Sequence, residues 1–247
     1  MADEFIVVIP ARFGSRRLPG KPLADIGGRP MVAWVYEQAL RSGASNVLVA
    51  TDDERIMTAC RDFNAPAELT AANHESGTDR IAELAERLGW KEEQIVVNVQ
   101  GDEPLLPPNL ISQVAELLSQ NSDAAIATLA TPVRTHDEWR DPNVVRVILD
   151  RNGRALYFSR APIPWPREGG TPPALRHIGL YAYRVGALKQ IAATSPCELE
   201  RLERLEQLRA LWLGMKIIVA EAREVPPRGV DTEADLDAVR GQLMDAQ

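Results

Sequence analysis

Short runs rich in valine and isoleucine alternate with amphipathic stretches through the first half of the chain. Such alternation is typical of βαβ units, which build a parallel sheet with helices on both faces. We therefore expect an α/β fold with a mostly parallel, doubly wound, Rossmann-like sheet whose ligands bind at the carboxyl ends of the strands. The predicted strands are Phe5–Pro10, Asn46–Thr51, Gln94–Gln100 and Ala124–Ala130, and the predicted helices are Pro30–Ser42, Glu54–Phe63, Thr78–Leu88 and Asn109–Ser119.

The pattern changes after residue 130, where strand patterns follow one another without full helices between them. We predict one domain over 1–247, in which 1–130 and 215–247 form the core and 131–214 form an inserted smaller sheet. The predicted elements of the second half are strands at Asn143–Asp150, Ala155–Ala161, Ile178–Val185 and Ile217–Ala222, a Pro/Gly-rich loop at Pro162–Pro173, and helices at Glu198–Gly214 and Thr232–Leu243.

The charge balance limits the partners of this chain. It has 28 Lys and Arg against 35 Asp and Glu, a net charge of −7, so nothing predicts binding to nucleic acid, and any polyanion must meet a local basic cluster. Two cysteines and three histidines leave no disulfide framework and no soft-metal site. The apolar run Phe5–Ile9 is far shorter than the roughly 20 residues of a membrane span, so we expect a cytoplasmic protein without membrane contact.

A basic loop follows the first strand directly and would lie over the strand ends. Gly14 and Gly20 let backbone amides approach an anion closely, and neighbouring prolines favour a shaped loop. The loop matches neither the dinucleotide fingerprint nor the P-loop, and a solvated basic loop is the alternative. Its chemistry-bearing residues are Pro10, Ala11, Arg12, Ser15, Arg16, Arg17 and Lys21.

Two aspartates follow predicted breaks in regular structure. Asp102 comes after the strand Gln94–Gln100, and Asp231 precedes the last helix. Mg²⁺ takes hard oxygen ligands, commonly one or two carboxylates together with phosphate oxygens and water. A pair of acids at the strand rim suits that need, although each could instead cap a turn or a helix.

Several polar residues sit where predicted elements begin or end. Ser76 and Arg80 open a helix whose N-terminus suits an anion or a carbonyl group, or is a plain capping motif. Arg160 closes the strand Ala155–Ala161. Strand alternation places His177 and Tyr181 on one face, where they could form the floor of a polyol pocket. The alternative is that His177 has only a structural role, as a lone histidine often does.

A glutamate falls within the apolar arc of the predicted helix Glu198–Gly214. At 100° per residue, Glu206 points between leucines, so its carboxylate needs a partner. We expect that partner to be Arg209, another arginine or a ligand hydroxyl, with a buried ion pair as the structural alternative. The leucine arc could also face a second subunit.

Five motifs occur in an order and at spacings that together resemble the 3-deoxy-manno-octulosonate (KDO) cytidylyltransferases. The resemblance runs from about residue 5 to residue 243. The motifs are Pro10-Ala11-Arg12 with Ser15, Arg17-Leu18-Pro19-Gly20-Lys21-Pro22-Leu23, Asn98-Val99-Gln100-Gly101-Asp102-Glu103-Pro104, Tyr157-Phe158-Ser159-Arg160 and Gly229-Val230-Asp231-Thr232.

The resemblance implies a homodimeric enzyme that activates KDO with CTP for lipopolysaccharide biosynthesis, with a nucleotide-binding core and a sugar-binding, dimerising insert. It implies that Asp102 and Asp231 hold Mg²⁺ and that Arg12 and Lys21 act on the triphosphate. The remaining implied nucleotide contacts are Pro10, Ala11, Ser15, Ser76 and Arg80, and the implied sugar contacts are Gln100, Arg160, His177, Tyr181 and Glu206.

Two other functions stay open at this point. The chain could activate another acidic sugar, such as 8-amino-KDO or sialic acid, although the Arg-Leu-Pro-Gly-Lys-Pro-Leu form favours KDO. It could also be a nucleotide-binding protein without chemistry, against which the presence of both Asp102 and Asp231 argues. The preference for cytosine follows only from the resemblance.

Overall fold

The computed structural model describes residues 4–14, 18–170 and 172–244. Its strands are β1 (Phe5–Ala11), β2 (Asp25–Ile26), β3 (Arg29–Pro30), β4 (Asn46–Thr51), β5 (Ala67–Leu69), β6 (Ile95–Asn98), β7 (Ile126–Pro132), β8 (Arg146–Leu149), β9 (Ala155–Ser159), β10 (Leu175–Arg184) and β11 (Ile217–Glu221). Its helices are α1 (Met31–Leu40), α2 (Glu54–Asp62), α3 (Gly77–Arg87), α4 (Pro108–Gln120), α5 (His136–Arg140), α6 (Val185–Ala192), α7 (Glu198–Glu203), α8 (Gln207–Trp212) and α9 (Glu233–Met244).

The central sheet has the strand order β11-β7-β10-β6-β1-β4-β5. Strands β1, β4, β5 and β6 pair in parallel, as do β7 and β11, whereas β10 runs antiparallel to both of its neighbours. Strands β8 and β9 extend from β10 as an antiparallel pair. The expected mostly parallel α/β fold with a smaller antiparallel part is confirmed.

Both faces of the central sheet are buried, as a doubly wound sheet requires. Strand β1 sends Val7 and Ile9 into one apolar cluster with α1 and α4, and sends Ile6 and Val8 into another with α3 and α6. Burial of each such side chain stabilises the fold by about 1.5–3 kcal/mol. The sequence of β1 is therefore apolar at nearly every position, because neither face of the strand is exposed to solvent.

The predicted helix Glu198–Gly214 is wrong. The chain forms two short helices, α7 and α8, which are separated where Arg204 adopts a left-handed conformation with φ of 55°. The break divides the leucine arc, so that Leu205 is buried whereas Leu202 is 73% exposed. Helical periodicity alone could not reveal this, because a left-handed residue redirects the chain without altering the spacing of the leucines.

The segment 131–214 is joined closely to the core. Its strand β10 lies inside the central sheet between β6 and β7, starts before the predicted Ile178 and gives way to the unpredicted helix α6 at Val185. The assignment of nucleotide binding to the core and sugar binding to this segment stays a prediction. Among the described residues, no helix is both long and apolar enough to cross a membrane.

A buried arginine holds the irregular part of this segment together. Arg146 is fully buried, and its guanidinium donates to the backbone carbonyls of Val144, Arg160, Glu138 and Trp139. Two of these carbonyls lie in α5, whereas Val144 precedes β8 and Arg160 follows β9, outside the paired strands. A buried carbonyl without a donor costs about 1–3 kcal/mol.

We predict that Arg146→Met lowers the free energy of unfolding by about 3 kcal/mol, because it leaves several buried carbonyls without donors. Urea denaturation measures the change. Arg151→Met is the matched control, because Arg151 is exposed, and we expect it to change stability by less than about 0.5 kcal/mol. Equal stabilities for the two variants would contradict the role of Arg146.

Candidate active site

The segments that carry the predicted site residues meet at the carboxyl ends of β1 and β6. These strands are parallel neighbours, and the Val99 amide donates to the Val8 carbonyl at 3.0 Å, which continues the pairing beyond β6. A Cβ atom on Gly101 would lie 3.0 Å from the Pro10 carbonyl oxygen, which is tighter than most Cβ contacts, so glycine suits this close approach. The loop after β1 and the turn after β6 therefore share one rim.

Lys21 joins this rim to the segment before α9. Its ammonium group lies 2.6 Å from Asp102 Oδ2 and 3.1 Å from Asp231 Oδ1, and it donates to the Val230 carbonyl at 2.7 Å. Gly20 places Lys21 at the start of a short 3₁₀ turn through a left-handed φ of 69°. The structure thus brings Lys21 and both predicted metal-binding acids together across three distant segments.

The pair of aspartates fits a magnesium ion that also binds phosphate. Asp102 and Asp231 hold one cationic group between them, which shows that both carboxylates can approach a single positive charge. Among the described residues, no cluster of three or more Asp, Glu, His or Cys side chains could hold a metal by itself. A metal held here would take its remaining ligands from water and from a bound phosphate, as Mg²⁺ commonly does.

A cavity of about 570 Å³ lies over this rim, within the range of small-molecule sites. Ser15 lies outside the described residues, and so do Arg16 and Arg17 of the basic cluster. The predicted residues that line the cavity are Pro10, Ala11, Arg12, Lys21, Ser76, Arg80, Gln100, Asp102 and Asp231.

Ser76, the N-cap of α3, and Arg80 within α3 line the cavity, and most of their polar atoms already form hydrogen bonds within the protein. The Ser76 hydroxyl accepts from the Asp79 amide at 3.1 Å, and the Asp79 carboxylate accepts from the Ser76 amide at 3.1 Å, which together form a capping box. Arg80 is 2% exposed, donates to Asp52 at 2.9 Å and also donates to the Thr70 hydroxyl. Arg80 therefore stiffens the wall of the cavity whether or not it touches a ligand.

A second cavity of about 790 Å³ shares Asp102 and Asp231 with the first. His177 and Tyr181 line it, and their ring centroids are 5.2 Å apart. Between Ile178 and Tyr181, β10 has two more residues than the facing stretch of β7. Because an even number of residues is added, side chains before and after the irregularity keep their alternation between the two faces. The two aspartates therefore stand at the junction of two cavities.

The aromatic floor of the second cavity is uncharged. Burial lowers the pKa of His177 to about 3, and burial raises the pKa of Tyr181 well above its ordinary value. The Thr128 hydroxyl donates to the Leu180 carbonyl at 2.8 Å and lies 3.0 Å from His177 Nε2, so it accepts from that nitrogen. Structural packing and a contact with a polyol are compatible roles for this histidine.

Glu206 does not form the expected pair with Arg209. Arg209 binds Glu200 in a bidentate contact at 2.5 and 2.8 Å, whereas the Glu206 carboxylate accepts from the Thr78 hydroxyl. Burial raises the pKa of Glu206 despite this bond. The break between α7 and α8 explains the difference, since Glu206 precedes α8 and turns toward the start of α3.

The structure does not bring Arg160 into either cavity. Its Nε donates to the Glu203 carbonyl at 2.8 Å, and its Nη1 donates to the Pro142 carbonyl at 3.1 Å. Glu206 is likewise absent from the described linings, although its neighbours Leu205 and Gln207 line the second cavity. The predicted sugar-binding roles of both residues stay predictions.

Sequence reasoning missed several polar residues of the two cavities. Glu103 lines the second cavity, where burial, helped by the charge of Asp102, raises its pKa to about 8. Its place in the motif beside Asp102 was the available signal. His74 lines the first cavity, and Arg176 and Arg228 line the second, but nothing in their sequence spacing marked them.

The chain is similar to known cytidylyltransferases in sequence and in structure. A family model described as Cytidylyltransferase matches residues 6–217. A 3-deoxy-manno-octulosonate cytidylyltransferase of Halorhodospira halophila is 56% identical and aligns over 97% of this chain and 96% of its own. One of Vibrio parahaemolyticus is 54% identical over 96% and 97%. A solved structure of CMP:2-keto-3-deoxy-manno-octonic acid synthetase complexed with CTP is 39% identical, has a TM-score of 0.92, and covers 99% of this chain and 100% of its own.

The depressed pKa of His177 predicts a loss of stability in acid. The unfolded chain binds a proton near pH 6.5 whereas the folded state resists protonation down to about 3, so stability is full above about pH 6.5 and falls as the pH drops toward the folded value. We expect wild type to lose about 1–2 kcal/mol between pH 7 and pH 5 that His177→Gln does not lose.

Urea denaturation at both pH values measures this difference. The exposed His136 supplies the control variant, His136→Gln, which should follow wild type. A pH dependence that is identical in His177→Gln and in wild type would show that His177 does not carry the effect.

Proposed function

The chain belongs to the 3-deoxy-manno-octulosonate cytidylyltransferase family, and from that premise we propose that it converts CTP and KDO into CMP-KDO and pyrophosphate for lipopolysaccharide assembly. One observation carries the proposal beyond the family name. Two cavities meet at Asp102 and Asp231, so a nucleotide and an acidic sugar bound in them would have their reacting ends at the same pair of carboxylates.

The first cavity suits the nucleotide. Arg12 is exposed at its edge and Lys21 lies within it, so both cations are placed to bind phosphate oxygens. Lys21 already contacts Asp102 and Asp231, and its flexible side chain would turn from the carboxylates to the triphosphate. Pro10 and Ala11 form the backbone floor beneath these groups.

The second cavity suits the sugar acid. His177 and Tyr181 offer uncharged hydrogen-bonding groups to hydroxyls, since both stay neutral at physiological pH. Arg176 and Arg228 also line this cavity and add positive charge for a carboxylate. Gln100 lines the first cavity beside Asp102, where it would contact a sugar hydroxyl near the junction.

The reaction we propose is an in-line attack of the anomeric hydroxyl of KDO on the α-phosphorus of CTP. The sugar oxygen bonds to that phosphorus, the bond to the β-phosphate oxygen breaks, pyrophosphate leaves and the hydroxyl proton passes to solvent. Asp102 and Asp231 would hold Mg²⁺ at the junction of the cavities. When bound, Mg²⁺ neutralises phosphate charge and lowers the pKa of a hydroxyl that it contacts. Arg12 and Lys21 would stabilise the charge that builds up on the leaving pyrophosphate.

The proposal also includes a homodimer and a cytoplasmic location, where CTP is available. Four exposed apolar side chains support the dimer. They lie on β9, α7 and α8, of which α8 contacts both of the others, and exposed apolar side chains on adjacent elements are typical of an interface. These residues are Leu156 (60% exposed), Leu199 (42%), Leu202 (73%) and Trp212 (63%).

The competing functions receive no comparable support. Five relatives at 53–56% identity are all named 3-deoxy-manno-octulosonate cytidylyltransferase, and none of these five names refers to 8-amino-KDO or sialic acid. We therefore propose KDO as the acceptor.

We predict that Asp102→Asn lowers turnover by at least about 100-fold, because it removes one charged ligand from the junction. Pyrophosphate release with Mg²⁺, CTP and KDO measures the effect, and sialic acid in place of KDO tests the acceptor. The exposed Asp62, remote from both cavities, supplies the control variant Asp62→Asn. Turnover near the wild-type value in Asp102→Asn would refute the assignment of Asp102.

We predict that Leu202→Glu shifts the protein from dimer to monomer, because it places a charge in the apolar surface. Light scattering coupled to gel filtration measures the mass. Leu40→Glu is the control, since Leu40 is 53% exposed on α1, away from this surface. A wild-type protein that is monomeric at micromolar concentration would refute the dimer.

A further inference from the structure

His74 lies in the first cavity and has no part in the chemistry proposed above. We divide the lining of that cavity into two parts by the segments that supply it. The first part contains Arg12, Lys21 and the two aspartates, whereas the second part contains residues 74–77 and Arg80. If the proposed function holds and the triphosphate binds to the first part, we place the base against the second part, which contains His74.

Most side-chain hydrogen-bonding groups in this second part are already committed. The Ser76 hydroxyl accepts from the Asp79 amide, and both terminal nitrogens of Arg80 donate to Asp52 or Thr70. The imidazole of His74 contacts Glu83 through Nε2 at 2.5 Å. Within the described part of the chain, His74 Nδ1 has no partner, and the side chain is 19% exposed at the cavity wall.

Glu83 is held as an ionised acceptor. It accepts from the Ala71 amide at 2.9 Å and from Arg87 at 3.3 Å in addition to its contact with His74. Burial acts to raise the pKa of Glu83, but the bonds from Ala71 and His74 hold that pKa below its ordinary value. An ionised carboxylate only accepts, so His74 Nε2 must donate, and in the neutral imidazole Nδ1 is then the acceptor.

We propose that His74 selects cytosine over uracil by accepting a hydrogen bond from the cytosine amino group at Nδ1, with Glu83 as the positioning residue that sets the tautomer. Cytosine presents an N4 amino donor where uracil presents an O4 acceptor. An acceptor in the protein pairs with the first and repels the second. The exposed carboxylate of Glu75 also lines this cavity and is the alternative acceptor.

Two variants separate the role of His74 Nδ1 as an acceptor from the contact of His74 Nε2 with Glu83. His74→Gln keeps an amide donor that can reach Glu83 but has no atom in the place of Nδ1. Glu83→Gln keeps a hydrogen bond to His74 but no longer forces Nε2 to donate, since an amide can donate or accept. Glu75→Gln tests the alternative acceptor in the same wall.

The experiment measures binding of CTP and of UTP by calorimetry at about pH 8. We expect the preference for CTP over UTP to fall by about tenfold in His74→Gln, by a similar factor in Glu83→Gln, and to be unchanged in Glu75→Gln. The ¹⁵N shifts of the His74 imidazole should report an Nε2–H tautomer in wild type and a mixture in Glu83→Gln.

Three results would overturn the proposal: an unchanged preference in His74→Gln, a loss of preference in Glu75→Gln alone, or an Nδ1–H tautomer in wild type. Binding is measured without turnover, so this test is distinct from the test of the proposed function. A wild-type protein that prefers CTP but releases no pyrophosphate with KDO would refute the proposed function and leave the role of His74 standing.

Discussion

The parallel pairing of β1 with β6 is the constraint on which the rest of the site depends. Parallel neighbours end at the same edge of a sheet, so the loop after β1 and the turn after β6 have to share one rim. The contact is tight, because a Cβ atom on Gly101 would lie only 3.0 Å from the Pro10 carbonyl oxygen. A basic loop and an acidic turn, remote in sequence, thereby become one surface.

Electrostatics then decides how that surface is held in the free protein. Asp102 and Asp231 would repel each other if they were unpaired, and Lys21 supplies the positive charge between them. The carboxylates are 33% and 46% exposed, so each contact is worth only about 0–1 kcal/mol. Weak contacts of this kind are easily exchanged, which suits a lysine that has to turn to phosphate when a nucleotide binds.

The order of secondary structure was predictable because apolar periodicity reports which faces are buried. β4 has the predicted bounds Asn46–Thr51, and α2 and α3 match their predicted spans to within one or two residues. The prediction failed at Glu206 and at the helix that carries it, because the left-handed Arg204 redirects the chain without changing the hydrophobic spacing. It missed β5 and α5, which are too short to carry a period.

The sequence by itself determined the fold class, the rim loop, and the presence of Lys21, Asp102 and Asp231 at strand ends, because strand alternation and motif spacing are local properties of the chain. Only the tertiary structure decided which groups are partners. Lys21 contacts both aspartates, and Arg160 donates to backbone carbonyls. Glu206 accepts from Thr78, and His74 contacts Glu83. Such pairings depend on how distant segments pack, and no periodicity along the chain encodes the distance between two side chains.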